Sequence, residues 1–298
     1  MANYKICTIN CNGFLDKIKQ YEIKDFVISN KIDVLFLQET HINSKKLETF
    51  IAKFMNCKTY FSFGSNKSKG VGILIFNEHI IPENFYFDLE GRFTHVNCNI
   101  QNNKYRLINV YCPNNDKDRV DFLNSLYPHL LCNRKIIFAG DFNCIMNKKL
   151  DKKGGNPDRG DIGSDIIKSL ISDYGLCDSF RILYPNIPSY TWHSYSQNIS
   201  CRLDRIYISN IMKPFINDVT VHLICCSDHD AVVLSFTNNT DLITGSGFWK
   251  INNDILKDKP FQESFNVFWQ HLSDGMTGDQ DFWAICKDNF KSFIINYC

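Results

Sequence analysis

Residues 135–143 read KIIFAGDFN, and this stretch decides the fold. The apolar run IIFA predicts a short strand that is buried on both faces. Asp141 and Asn143 follow the run directly, so two polar side chains stand at the carboxyl end of a buried strand. Strand ends that meet at one sheet edge are where α/β-type proteins assemble sites from distant parts of the chain. We therefore expect a functional site after this strand.

The same arrangement recurs along the chain, because other strand-like runs also end in, or begin after, polar clusters. These clusters contain Asn10, Glu39, Tyr111 and Asp228-His229. A carboxylate such as Glu39 is a hard oxygen ligand that suits Mg²⁺, and a histidine can stabilise phosphate charge or move a proton. Each cluster alone is compatible with an ordinary turn or surface residue. Their joint occurrence at strand ends favours one shared site.

Composition narrows the class of protein. The chain has 298 residues, a net charge of +1 and 44% hydrophobic residues, which excludes wholesale disorder and does not indicate a strongly basic nucleic-acid binder. Its 13 cysteines contain no C-x-x-C pair, so they predict small core residues and not a disulfide framework. We find no signal peptide and no apolar run long enough for a membrane span.

The alternation of strands and helices predicts an α/β (α+β) fold with two packed mixed β-sheets flanked by helices. Besides residues 135–139, predicted strands cover residues 4–10, 33–40, 59–63, 71–76, 93–100, 105–111, 189–193, 202–209 and 231–236. Predicted helices cover residues 45–55, 118–131, 164–174, 261–272 and 282–295. A polar break near residues 237–240 divides the chain into a domain at 1–237 and a linker-like extension at 238–298.

Taken together, seven ordered motifs resemble the exonuclease–endonuclease–phosphatase superfamily, whose DNase I-like fold is a four-layer α/β sandwich. The motifs are INCNG (9–13), QETH (38–41), NVYCPN (109–114), GDFN (140–143), YTW (190–192), RLDRI (202–206) and SDH (227–229). Within this superfamily, the chain is most similar to the apurinic-type endonuclease domain of LINE-class (non-LTR) retrotransposons. Asn12 stands where cellular abasic-site endonucleases usually carry Asp. Residues 247–252, GFWKIN, resemble the segment that precedes reverse transcriptase in such elements.

The resemblance implies a role for each matching residue. Glu39, Asn10 and Asp228 are the implied metal site, occupied by Mg²⁺, for which Mn²⁺ can substitute. The implied catalytic residues are Asp141, His229, Asn143, Tyr111 and Asp204, with Asp141 aligning water and Asp204 orienting His229. The implied DNA-binding residues are Thr191, Asn12, Arg159 and Arg202. The loop at residues 194–200 matches the hairpin that retroelement enzymes insert into the minor groove.

The resemblance also implies a function. We expect a Mg²⁺-dependent endonuclease that nicks double-stranded DNA, leaving 3′-hydroxyl and 5′-phosphate ends, and thereby primes reverse transcription of a LINE-type element. Its partners would be DNA and a reverse transcriptase in the same polyprotein, with no membrane and no small-molecule cofactor. It would act in the nucleus after cytoplasmic synthesis.

Three other functions remain open on the sequence. The first is a cellular abasic-site endonuclease of the same fold, and the second is a phosphoinositide or sphingomyelin phosphodiesterase. The third is a catalytically degenerate module that binds nucleic acid without cleaving it. A preference for an abasic site would identify the first, and phosphate release from inositol phosphates would identify the second. DNA binding without cleavage would identify the third.

Overall fold

The fold was analysed in a computed structural model that describes residues 2–64, 69–155, 161–194, 196–238, 253–273 and 282–297. Its strands are β1 (Ala2–Asn10), β2 (Val34–Gln38), β3 (Lys58–Ser62), β4 (Val71–Ile75), β5 (Ile80–Phe87), β6 (Phe93–Ile100), β7 (Asn103–Tyr111), β8 (Lys135–Asp141), β9 (Lys152–Lys153), β10 (Leu176–Asp178), β11 (Trp192–Ser194), β12 (Ile199–Cys201), β13 (Asp204–Ser209), β14 (Ile216–His222) and β15 (Ala231–Asn238). Its α-helices are α1 (Lys17–Asn30), α2 (Lys45–Met55), α3 (Asp116–Ser125), α4 (Tyr127–Leu130), α5 (Ser164–Asp173), α6 (Ser179–Leu183), α7 (Lys259–Ser273) and α8 (Phe282–Tyr297). Two 3₁₀ helices span Asn210–Phe215 and Asn253–Lys257.

The described strands form two six-stranded sheets and one small sheet. The first sheet has the order β14-β15-β1-β2-β4-β3, and the second has the order β10-β13-β8-β7-β6-β5. Each is mixed, because β1 pairs with β2 and β7 pairs with β8 in parallel, whereas their other strand pairs are antiparallel. A three-stranded sheet, β11-β12-β9, stands apart from both.

Successive strand residues point to opposite faces, and this places three apolar clusters in the body of the molecule. Ile6, Phe36, Leu107 and Ile137 belong to the cluster between the sheets. A second cluster packs α1 and α2 on the first sheet, and a third packs α3, α4 and α5 on the second. The expected four-layer sandwich of two mixed sheets with flanking helices is therefore confirmed.

Five described strands were not predicted from the sequence: the short strands β9, β10 and β12, and the longer strands β5 and β14. β5 and β14 are both edge strands, and most of their side chains are partly or fully exposed. Neither has the continuous apolar run that marks a central strand, and β5 also carries Pro82, which cannot donate a ladder hydrogen bond. The predicted helix at 118–131 is divided at Leu126 into α3 and α4, with Pro128 in the first turn of α4.

The described part of the C-terminal extension is helical. α7 and α8 share an apolar cluster that includes Phe261, Phe268 and Phe293. The extension also contacts the body, because the Asn296 amide donates to the Ser172 carbonyl oxygen at 2.6 Å. The boundary at residues 237–238 stays a prediction, and the GFWKIN segment lies outside the described residues. In the described part of the chain, no helix has the length and apolar character needed to cross a membrane.

Candidate active site

Strand register brings the predicted residues together where strands of the two large sheets end. β1 and β2 run in parallel and end together, so Asn10 lies beside the turn that carries Glu39. β7 and β8 also run in parallel, with Tyr111 opposite Asp141, and antiparallel β13 places Asp204 opposite Asp141 on the other side. Residues that are more than 100 positions apart in sequence are thus neighbours in the fold.

The chain turns sharply where the strands end. Glu39 and Asn143 both have left-handed backbone conformations, with φ angles of 50° and 46°. Such conformations are unfavourable for a residue with a Cβ atom and tend to occur where a site requires them. Here they turn the chain away from β2 and β8 directly after the strands, so that both side chains line the cleft.

Asn10 joins the two carboxylates of the site. Its side-chain Nδ2 donates to Glu39 Oε1 at 2.9 Å and to Asp141 Oδ2 at 3.0 Å, while its Oδ1 accepts from the Asn12 backbone N–H at 3.1 Å. An amide NH₂ group between two carboxylates spaces them without adding charge. In this arrangement, Asn10 positions Glu39 and Asp141, and its amide oxygen is turned away from them.

Asp141 is a buried carboxyl group at the centre of the site. Burial and the neighbouring Asp204 carboxylate raise its pKa to about 6, although the nearby His229 and the hydrogen bonds from Asn10 and the Asn143 N–H oppose this shift. A carboxylate with a pKa near 6 is a better proton acceptor than an ordinary aspartate. It is ionised at neutral pH and suited to align or deprotonate a water molecule.

His229 is held by a buried carboxylate. Its Nδ1 lies 2.8 Å from Asp204 Oδ2, and its Nε2 lies 3.9 Å from Asp141 Oδ2. Burial opposes a charge on the ring, but the Asp204, Asp141 and Asp228 carboxylates together raise the pKa of His229 to about 10. The imidazole is therefore a cation at neutral pH and can donate a hydrogen bond to an anionic oxygen.

Tyr111 stands on the other side of Glu39. Burial, the Glu39 charge and a hydrogen bond to Glu39 all raise the pKa of the phenol well above its usual range, so it remains a neutral donor. The Arg92 guanidinium lies over the Tyr111 ring, with 5.2 Å between the guanidinium carbon and the ring centroid. Asn143 is fixed nearby through its amide, which donates to the Cys112 carbonyl oxygen at 2.8 Å.

Asp228 lies at the rim of the site. Its Oδ1 accepts from Asn12 Nδ2 at 3.2 Å, and its Oδ2 accepts from Trp192 Nε1 at 3.0 Å. Ser227 closes the loop by donating from Oγ to the Asn10 carbonyl oxygen at 2.7 Å. The segment at 227–229 is thereby tied to β1, which is the strand that carries Asn10.

These side chains open into a cleft of about 540 Å³. Its floor is acidic, and the side chains around the floor include the acidic Asp116 and Asp161 as well as the basic Arg119 and Lys152. Residues of the small sheet and its hairpin loop also line the cleft, namely Trp192, Gln197 and Ile199. Arg119 is itself ion-paired with Asp116 and Asp161, so the cleft has an excess of negative charge that a bound divalent cation would offset. A larger hollow of about 700 Å³ is lined by other residues, including Tyr86 and His129, and by none of the predicted catalytic side chains.

The donor set of the site fits a divalent cation. Asp141, Asp204 and His229 bring possible ligand atoms within 4.8 Å of one another. A histidine that is protonated on both nitrogens cannot act as a ligand, and the pKa of His229 is about 10. Glu39 is half-buried and offers carboxylate oxygens to the same cleft, as does Asp228. The acidic floor therefore suits a hard cation near Glu39.

Two predicted DNA contacts are wrong. Thr191 is completely buried, and its hydroxyl donates to Asp204 Oδ2 at 2.6 Å, so it cannot contact a DNA backbone. Arg202 is also buried and binds Asp178, with contacts of 2.7 and 2.8 Å. Both residues position the strand that carries Asp204. Asn12 lines the cleft, so its contact with DNA stays a prediction, and Arg159 lies outside the described residues.

Some of the site's structural support was missed in the sequence. The buried amide of Gln38 donates to Asn109 Oδ1 at 2.7 Å, and Asn109 in turn donates to the Leu37 and Gly72 carbonyl oxygens. This network joins the two sheets directly beneath the site. Both residues stand in the quoted motifs, but no spacing rule shows that two amides from different sheets will meet. Trp192 and Arg119 also gave no signal that they line the cleft.

Two packed mixed sheets with an acidic, histidine-containing cleft at their strand ends define the DNase I-like class of hydrolases. Residues 7–229 match the endonuclease/exonuclease/phosphatase family, and the chain belongs to that family. The predictions of this superfamily and of a hydrolytic nuclease are confirmed.

Three comparisons illustrate the relationship. The chain is 26% identical over 303 residues to the transposon TX1 uncharacterized 149 kDa protein of Xenopus laevis, a match that covers 98% of this chain and 23% of that protein. It is 25% identical over 256 residues to an exodeoxyribonuclease of Bacillus subtilis (strain 168), covering 77% of this chain and 98% of the relative. Among solved structures, an AP endonuclease from Archaeoglobus fulgidus has a TM-score of 0.67 at 22% identity, covering 78% of this chain and 99% of that one.

Proposed function

We propose that this chain is the Mg²⁺-dependent DNA endonuclease of a LINE-type retrotransposon. The observation that carries the proposal is the extent of the transposon match. It spans 98% of the chain and therefore includes the C-terminal extension, whereas the bacterial exodeoxyribonuclease match covers 77%. A cellular nuclease accounts for the body of the molecule but not for the extension. Because the chain spans about a quarter of the transposon protein, we infer that a reverse transcriptase lies elsewhere in the same polyprotein.

The cleft supplies the groups needed to hydrolyse a phosphodiester. A Mg²⁺ ion held by Glu39, with Asp228 at the rim, would stabilise negative charge on the phosphate. Asp141 accepts a proton from the attacking water or aligns it, as its raised pKa allows. The His229 cation donates to a non-bridging phosphate oxygen, and Asn143 and Tyr111 donate to the phosphate or the leaving oxygen.

The support under these groups accounts for their orientation. Asp204 keeps His229 charged and directs its Nε2 toward the cleft, and Thr191 in turn holds Asp204. Asn10 keeps Glu39 and Asp141 at a fixed separation. Preorganised donors of this kind lower the barrier because they need no rearrangement as charge develops. Attack of water on the phosphorus with breakage of the P–O3′ bond would leave a 5′-phosphate on one fragment and, once O3′ takes up a proton, a 3′-hydroxyl on the other. The 3′-hydroxyl would prime reverse transcription in the nucleus.

A plasmid assay with end analysis tests this proposal. Supercoiled plasmid is incubated with the protein and Mg²⁺, and the nicked product is then treated with DNA ligase. We expect open circles that ligase reseals, because ligase requires a 3′-hydroxyl beside a 5′-phosphate. EDTA should abolish nicking, and Mn²⁺ should restore it. Nicks that cannot be resealed would contradict the proposed products.

A second substrate separates the proposal from a cellular repair enzyme. Two duplex oligonucleotides of the same sequence are compared, one intact and one with a single abasic site. We expect nicking of the intact duplex at preferred positions and no strong preference for the abasic duplex. A preference of 100-fold or more for the abasic site would instead support the repair function. Such a preference corresponds to a difference in activation free energy of about 2.7 kcal/mol.

A further inference from the structure

Three consecutive residues at the start of the hairpin β11–β12 contact either the segment that carries His229 or Asp204, the carboxylate that binds the His229 ring. Thr191 donates to Asp204, Trp192 Nε1 donates to Asp228 at 3.0 Å, and His193 Nε2 lies 3.0 Å from Asp230 Oδ2. The partners of Trp192 and His193 stand directly before and after His229 in the sequence. The catalytic histidine is therefore flanked on both sides by carboxylates that the hairpin holds.

The backbone reinforces these side-chain contacts. The His193 N–H donates to the Asp228 carbonyl oxygen at 3.1 Å, and the Asp230 N–H donates to the Thr191 carbonyl oxygen at 2.7 Å. Trp192 and His229 form an antiparallel bridge between these two hydrogen bonds. The start of β11 thus behaves as a short extra strand for the catalytic segment, so that movement of one would move the other.

The hairpin also forms part of the lining of the cleft. His193 Nδ1 lies 3.0 Å from Ser200 Oγ on β12, so this ring spans from the catalytic segment to the second hairpin strand. Gln197 and Ile199, in the hairpin, line the same cleft as Asp141 and His229. β12 also pairs with β9, where Lys152 lines the cleft. A ligand that presses on this wall has a continuous hydrogen-bonded connection to the catalytic segment.

We propose that Trp192 and His193 are positioning residues that couple the hairpin wall of the cleft to the catalytic segment at 228–230. The inference rests on the proposed nuclease function and extends it, because it makes hairpin contact with DNA a determinant of the catalytic rate. Trp192 holds Asp228 from one side of His229, and His193 holds Asp230 from the other. Loss of either contact frees the segment to rotate, and a displacement of about 1 Å at reacting groups lowers a rate by about 100-fold.

Substitutions at His193 test the coupling with a built-in rescue. His193→Ala removes the side chain that links Asp230 to Ser200, and His193→Gln restores a donor for Asp230. We expect His193→Ala to lower kcat on a duplex oligonucleotide by 10-fold or more while KM changes less than 3-fold. His193→Gln should recover most of that loss. Equal activity of all three proteins, or a change confined to KM, would overturn the proposal.

Trp192→Phe tests the other contact, because phenylalanine keeps an aromatic ring and removes the indole N–H. We expect a fall in kcat and an altered distribution of nick positions. Tyr184→Phe is the matched control, since it removes a hydroxyl that donates to Asp218 at 3.1 Å on another part of the surface. Tyr184→Phe should change neither kcat nor the nick positions. If Trp192→Phe behaves like this control, Trp192 has no positioning role.

A measurement without catalysis separates the coupling from the nuclease function. In folded, metal-free protein, the ring-nitrogen NMR signals of His229 report on its contact with Asp204. We expect Asp230→Asn and His193→Ala each to shift these signals, and the double variant to shift them no further than the larger single change. Unchanged His229 signals would overturn the coupling even if the wild type nicks DNA. If the variants shift these signals but the wild type nicks no DNA, the coupling is retained and the nuclease proposal is rejected.

Discussion

A positively charged imidazole inside a buried site depends on its carboxylate partner. Burial favours neutral His229, and Asp204 is the carboxylate that outweighs this effect most strongly, which brings the pKa to about 10. Because this pKa is higher in the folded protein than the ordinary value of 6.5, the interaction stabilises the fold fully below pH 6.5. The stabilisation is lost as the pH rises through about 10. The same carboxylate raises the pKa of Asp141.

We therefore expect Asp204→Asn to lower both pKa values. In metal-free protein, the pKa of His229 should fall from about 10 toward neutrality, and the pKa of Asp141 should fall below about 6. NMR titration of the histidine ring nitrogens and of the aspartate carboxyl carbons measures both changes. A His229 pKa that stays near 10 in this variant would show that Asp204 is not its principal partner.

Buried arginines near the site make a separate prediction about stability. Asp151 is buried and binds the guanidinium groups of Arg181, Arg202 and Arg205. Asp151→Asn leaves these buried cations with a neutral partner, so we expect the free energy of unfolding to fall by about 3–5 kcal/mol. Urea denaturation measures the change. Asp165→Asn, at an exposed ion pair with Lys168, is the matched control and should leave the midpoint unchanged.

At the scale of elements, the parallel pairing of β7 with β8 sets the distance between Tyr111 and Asp141. This pairing requires glycine at position 140, where φ is +140° and a Cβ atom would lie 2.0 Å from the Val110 carbonyl oxygen. A side chain at this position would force the two strands apart at the register that builds the site. The GDFN motif thus contains a packing requirement as well as a predicted catalytic residue.

We expect Gly140→Ala to lower the free energy of unfolding by more than about 2 kcal/mol, through strain and through the lost pairing. Gly175→Ala is the control, since Gly175 also has a positive φ of 58° but its nearest neighbour would lie 3.6 Å from a new Cβ. Gly175→Ala places a Cβ atom at a positive φ without a close contact, so it measures the effect of backbone strain separately from that of the steric clash. Equal losses in the two variants, measured by urea denaturation, would show that the contact with Val110 is unimportant.

The central strands, and the motifs whose residues line the cleft, were predictable because both have local signals. β1, β2 and β8 are apolar runs followed by polar residues, and this pattern can be recognised in a single sequence. Edge strands such as β5 and β14 lack them, because their exposed faces tolerate many residue types. The burial of Thr191 and Arg202 depends on partners that are distant in sequence. No local pattern distinguishes an arginine bound to Asp178 from one that faces DNA.

At the scale of the whole molecule, the body and the extension contribute differently. The three apolar clusters of the body use residues from β1 to β15 and include none of the described side chains of α7 or α8. The extension has its own small cluster and packs against the body through contacts such as the stacking of His271 on Tyr127, with ring centroids 4.8 Å apart. The active-site cleft lies among body residues only, in the described part of the chain.

We expect a chain truncated after Asn238 to nick plasmid at a rate within about 3-fold of the full chain. Its melting temperature should fall, since about 2–4 °C accompanies each kcal/mol in a domain of this size. Differential scanning calorimetry and the plasmid assay together measure the two effects. Loss of nicking in a truncated chain that still folds would place part of the catalytic apparatus in the extension.

The central claim is that the Asp141–His229 pair hydrolyses DNA phosphodiesters. The most direct test is the rate at which supercoiled plasmid becomes open circle at saturating Mg²⁺, compared among the wild type, Asp141→Ala and His229→Ala. Circular dichroism confirms that each protein is folded. We expect nicking by the wild type and a loss of 1,000-fold or more in each variant, on the order of 4 kcal/mol of transition-state stabilisation. Folded wild-type protein that leaves the plasmid intact, or variants that nick at the wild-type rate, would contradict this claim.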